Sequence, residues 1–165
     1  MKQFIRKESL NNWDIWSIVV YAIITIGVFY IGINIQQGFI WLISIYSFGT
    51  PMFLYIFNYR SLRKIYVFLI WFLISLLQIW LYSILHDNPA WITPIGNHWA
   101  DGLQLNWIVL IYYQLARFIH LKIKKNELVS ACYGSNYDLH DDRKIDYLDY
   151  IFFAIFIISW IFLIR

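Results

Sequence analysis

The sequence predicts an all-α, polytopic integral membrane bundle of about five transmembrane helices, with the N-terminus cytoplasmic and the C-terminus outside. Three observations predict it. Hydrophobic residues make up 61% of the 165 and charged residues 14%, against roughly half and a quarter in soluble domains. The uncharged run over 65–85 is 21 residues long, and about 20 apolar residues cross a bilayer core. Basic residues, finally, gather at alternate ends of the spans, all but Arg165. The length accommodates a single transmembrane domain, 1–165.

The polar, basic stretch Met1 to Asn12 resembles the start of a signal peptide, but the apolar run after it has no small-residue cleavage site. It reads as a retained first span, 15–35. A second span, 39–59, carries Gly49-Thr50-Pro51 near its middle. Proline there lacks an amide donor and frees the Ser47 carbonyl, which predicts a kink. The third, 65–85, has only Gln78 and two serines as polar guests.

The fourth span, 103–121, places Tyr113, Arg117 and His120 on one face. Arg117 is expected to snorkel from the last turn to the headgroups. Gln78, Gln104, Asn106 and Gln114 are expected to bond between helices. The fifth span, 148–164, has 15 uncharged residues from Tyr150 before Arg165. These cover roughly 22 Å of a core near 30 Å, so the helix must begin before Asp149 or thin the bilayer.

Orientation follows from charge. Lys2, Arg6 and Lys7 precede span one; Arg60, Arg63 and Lys64 separate spans two and three; Arg117, Lys122, Lys124, Lys125, Arg143 and Lys144 lie at or after the end of span four. That puts 12 of 13 basic residues on one side, which the positive-inside rule makes cytoplasmic. Trp13, Trp16, Tyr59, Trp80, Tyr82 and Trp107 sit at span ends, where amphipathic rings favour the headgroup level. The composition favours a bacterial inner membrane, with an organelle membrane as the other reading. The net charge of +3 marks topology and implies no nucleic acid. The lone Cys132 forms no internal disulfide and no metal motif.

Polar chemistry concentrates in two loops. The outer loop, 86–102, holds His86, Asp87, His98 and Asp101, candidate catalytic groups for a lipid-linked substrate. His86, His98 and Asp101 are also weak candidate ligands for a divalent metal; no other cofactor is predicted. Prolines and glycines forbid a continuous helix there, so a structured cap is expected. In the cytoplasmic loop, 122–147, Asp142 and Asp146 would share a helix face with Asp149, a carboxylate stripe able to hold a divalent ion or a basic partner. Helix N-terminal capping accounts for Asp141 and Asp142 without a ligand.

Trp91, Trp99, Arg117 and Asp149 are the expected contacts to a partner or to lipid. No HExxH, GxSxG or paired-acid motif is present, and the reading leans away from an enzyme. The first functional expectation is a non-catalytic membrane interaction protein, either an accessory subunit or an immunity-type inhibitor of a membrane-active toxin. Its partners would be the bilayer and a membrane protein or a second copy. A small integral membrane enzyme and a small-solute transporter follow in that order.

Overall fold

The computed structural model describes residues 8–34, 40–92, 98–131, 137–138 and 143–163. Five α-helices carry the fold: α1 (Asn12–Asn34), α2 (Ile40–Ile56), α3 (Ile65–Leu85), α4 (Asn106–Lys124) and α5 (Tyr147–Leu163). Short 3-10 turns occupy Ser61–Arg63, Pro89–Trp91 and Asp101–Gln104, and a two-residue hairpin pairs β1 (Tyr137–Asp138) with β2 (Arg143–Lys144). The helices match the expected apolar segments with ends moved by a few residues. The second stops at Ile56, short of 59, and the fourth starts at Asn106 after a 3-10 turn.

Contacts set the helix directions. The start of α1 meets the turn between α2 and α3 through Trp13 Nε1–H to Asn58 Oδ1 (3.2 Å) and Lys64 to Asp14 (2.6 Å). The end of α4 meets the start of α5 through His120 and Asp149. Hence α1, α3 and α5 begin at one end, called proximal below, where α2 and α4 finish.

The core has two halves. Proximally, Leu54, Tyr55, Trp71, Leu110, Tyr113 and Phe156 pack together, with the Tyr55 and Phe156 rings stacked at 4.2 Å. Distally, Val28, Ile43, Leu81, Trp91 and Leu103 form the second cluster. Polar side chains also point inward. Asn106 Nδ2 donates to Gln78 Oε1 (2.7 Å), Gln78 Nε2 to the Tyr46 hydroxyl (2.6 Å), and that hydroxyl to Thr25 Oγ1 (2.6 Å), which donates to the Tyr21 carbonyl (2.7 Å). This chain ties α4, α3, α2 and α1 across the interior, the bridging role expected for Gln78 and Asn106.

Most outward-facing helix positions are apolar. Ile23, Ile26, Tyr30, Leu73 and Phe162 are each more than 60% exposed. Two helices, α1 and α3, are long and apolar enough to cross a membrane, and α2 and α5 are shorter apolar helices.

Helix α2 runs through Pro51. The backbone of Ser47, four residues earlier, lies against Gly102, where an added Cβ would meet the Ser47 carbonyl carbon and oxygen at 2.9 Å. Glycine at 102 lets the Asp101–Gln104 turn seat directly on α2. The segment 143–146 corrects one expectation. Arg143–Lys144 is a strand and α5 begins at Tyr147, so Asp146 precedes the helix that carries Asp149 and the two do not share a helix face. Asp141 and Asp142 lie outside the described residues.

Candidate functional site

The distal loop folds inward as a cap. Trp91 Nα–H donates to the Asn88 carbonyl (3.0 Å), and Trp99 Nα–H to the Trp91 carbonyl (2.9 Å). Ser44 and Ser47 of α2 reach the Trp99 carbonyl at 3.4 and 3.5 Å. His98 is buried: the Ala100 amide donates to its Nδ1 (3.2 Å), so Nε2 carries the proton and donates to the Leu85 carbonyl (3.2 Å). Burial pushes the ring below its ordinary value, against the opposing pull of Asp101 and the Leu85 carbonyl. Asp101 accepts from the His98 amide (2.9 Å) and closes the turn.

His86 and Asp87 are exposed. The His86 ring lies 5.6 Å from that of His98, and its Nδ1 pairs with the Tyr82 hydroxyl (2.9 Å). The loop therefore brings His86, His98 and Asp101 near one another, but both His98 nitrogens are engaged by backbone. Its geometry is that of a cap.

The denser constellation is proximal. Helix α4 ends where Lys125 adopts a left-handed conformation (φ 58°), with its amide bonded to the Leu121 carbonyl. The chain then turns under the bundle, and Glu127, Leu128, Val129, Ser130 and Ala131 are all buried there. Arg117 grips Glu127 bidentately, Nε to Oε2 at 2.7 Å and Nη2 to Oε1 at 3.0 Å, the strongest geometry for a guanidinium and a carboxylate. Arg63 lies 3.9 Å from the same carboxylate and donates to the Leu128 carbonyl (2.6 Å). Tyr59 donates to Asp138 (2.8 Å), which brings the hairpin in.

Beside this lies a second group. Arg143 Nη2 donates to both oxygens of Asp149 (2.8 and 2.7 Å) and to the Glu127 carbonyl (2.7 Å). Asp146 and Asp149 form a capping box for α5. Asp146 Oδ1 accepts from the amides of Leu148 (2.9 Å) and Asp149 (3.2 Å), and Asp149 Oδ2 accepts from the Asp146 amide (3.0 Å). Burial alone would raise the Asp146 carboxyl, but the Asp149 and Leu148 amides and His120 together hold it below the ordinary carboxylate value. His120 Nε2 faces both carboxylates, 3.3 Å from Asp149 Oδ1 and 3.4 Å from Asp146.

Comparison with protein-family models, with curated proteins and with solved structures finds no match. The site must therefore be read from its own chemistry.

The placement of the expected contact residues differs from the sequence reading. Trp91, Arg117 and Asp149 are 3%, 1% and 0% exposed, so they offer no surface to a partner or to lipid; Trp99 is half-buried. Arg117 does not snorkel, because Glu127 holds it inside. The shared face of Tyr113, Arg117 and His120 is as expected, and all three are buried. The proximal roles of Arg63, Glu127 and Asp138 went unread. The sequence signal for part of the arrangement is present, Asn11-x-x-Asp14 and Asp146-x-x-Asp149, each just before an apolar run.

Proposed function

We propose that the protein is a five-span integral membrane protein of a bacterial inner membrane, N-terminus cytoplasmic, that acts by binding another membrane protein. An accessory subunit and an immunity-type inhibitor of a membrane-active toxin both fit this reading. The observation that carries it is where the polar and apolar groups point. Amide, hydroxyl and charged side chains turn into the bundle and bond there, both ends are closed by folded-in segments, and the outward surface is apolar helix. The most apolar window of α1 is only 17% buried, and that of α3 33%. A core helix of a water-soluble protein would be mostly buried, so lipid is the solvent that fits.

Helix α1 is the surface best suited to a partner helix. Around Gly27 no atom lies within 4 Å of where a Cβ would be, and Ile23, Ile26 and Tyr30 stand exposed nearby. A small residue between larger apolar ones lets a second helix approach closely. The test is photo-crosslinking from residues introduced at 26 and 27 in native membranes, followed by purification in mild detergent. A stoichiometric protein adduct, to another protein or a second copy, is the expected result. Adducts to lipid alone, with the chain purifying by itself, would sink the reading.

A further inference from the structure

We propose that His120, Asp146 and Asp149 form a binding site for a divalent transition metal of the zinc type. One ligand atom from each lies within 4.8 Å of the others. His120 comes from the last turns of α4, Asp146 from the N-cap of α5 and Asp149 from its first turn, so a bound ion would join the two helices.

The imidazole is oriented for the task. His120 Nδ1 lies 3.1 Å from the Asn126 carbonyl, which can only accept, so Nδ1 carries a proton. In the neutral ring Nε2 is then a lone pair aimed at two carboxylates. The pocket therefore favours a positive charge between the ring nitrogen and the two carboxylates. The separations of 3.3 and 3.4 Å exceed the roughly 2.7–2.9 Å of a charge-assisted N–H···O bond. These two separations are close to the edge of a tetrahedral site with bonds of about 2.0–2.1 Å, about 3.3–3.4 Å; the whole ligand set spans up to 4.8 Å, so a bound ion would draw the two carboxylate oxygens together.

Glu127 and Asp149 have close arginine partners, whereas the guanidinium nearest Asp146 is Arg143 at 3.9 Å. The surrounding shell is that of a ligand site: the Asn126 carbonyl fixes the imidazole, and the Val129 and Asp146 amides with Arg143 fix Asp149. One imidazole with two carboxylates suits zinc-like ions over calcium, which takes six to eight oxygens. Asp146, 21% exposed against 0% for the other two, marks the side for entry and for a fourth ligand.

The experiment uses the full chain in mild detergent, stripped with a chelator, then titrated with zinc and with cobalt(II). The expected result is one equivalent bound, the visible absorption of tetrahedral cobalt, and a Tm that falls on chelation and returns with zinc. His120→Ala should abolish binding. Asp146→Asn tests the site without unfolding it, because asparagine caps a helix as well as aspartate does; it should weaken cobalt binding by more than about a hundredfold, beyond the usual cost of losing an outer-shell partner. His86→Ala, at an exposed histidine, should leave binding unchanged. A stripped protein that takes up no metal, or an Asp146→Asn variant with undiminished affinity, would overturn the site.

Discussion

Asp14 and Asp149 occupy the same position, the third residue, of α1 and α5, and each bonds to a basic side chain from another segment: Lys64 at 2.6 Å and Arg143 at 2.7 Å. Each also accepts the amide of its own N-cap residue, Asn11 at 2.8 Å and Asp146 at 3.0 Å. A capping carboxylate thus starts the helix and fixes a connection at the same point. Because α1 and α5 both begin at the proximal end, the two devices close that end from opposite termini of the chain.

Replacing Asp14 by asparagine should therefore cost more than a helix cap. Asp14 is 0% and Lys64 8% exposed, and removing one partner of a buried pair costs about 3–5 kcal/mol because the other charge is left uncompensated. The double change Asp14→Asn with Lys64→Met should recover most of that loss. Unfolding in detergent, followed by helix signal, checks both. Equal loss in the single and double variants would show that the pair itself contributes little.

Gly102→Ala should destabilise by about 1–3 kcal/mol, the usual cost of overpacking. The added methyl would meet the Ser47 carbonyl at 2.9 Å, and backbone cannot rotate away as a flexible side chain does. Gly49→Ala is the control, since nothing lies within 4 Å of its Cβ direction. The Tm difference between the two variants is the measurement.

Long apolar runs bounded by charged or turn residues made the helices legible, Ile65–Leu85 among them. The shared inward face of Tyr113, Arg117 and His120 followed from helical periodicity alone. Glu127 did not. Its role depends on Lys125 turning the chain left-handed, which an ordinary Lys-Lys-Asn sequence does not announce. Arg143 likewise reads as one more topology marker until the hairpin places it against Asp149. The periodicity argument for Asp146 and Asp149 failed because it presumed a helix through 143–146, where Arg143–Lys144 is a strand and Asp146 caps α5.

Acid should loosen the distal cap through His98. Its folded-state value lies below the ordinary 6.5 because burial disfavours the charged ring. The neutral ring is thus favoured in the fold, and this contribution is complete above the unfolded value and lost as pH falls from about 6.5 through the folded value. Protonation of Nδ1 would also evict the Ala100 amide. Asp146 acts in a lower window: its folded value is depressed below 3.8, so its contribution is present above that and lost as pH falls through the folded value. A His98→Gln variant should flatten the Tm-against-pH curve just below about pH 6.5 and leave the acid limb intact.

The interior chain Asn106–Gln78–Tyr46–Thr25 should behave as one unit, since the Tyr46 hydroxyl is its hub, accepting from Gln78 and donating to Thr25. A hydrogen bond contributes a net of about 0.5–1.5 kcal/mol, so each single change stays modest. Tyr46→Phe removes both bonds at the hub and strands the Gln78 amide, which is 0% exposed. Gln78→Leu removes the bonds to Tyr46 and Asn106 while leaving the Tyr46–Thr25 bond. In Tyr46→Phe with Gln78→Leu, the amide stranded by the first change is gone, so the loss should be smaller than the sum of the singles. Unfolding of the four proteins of this cycle in detergent gives the coupling directly; additive losses would mean that the bonds contribute separately.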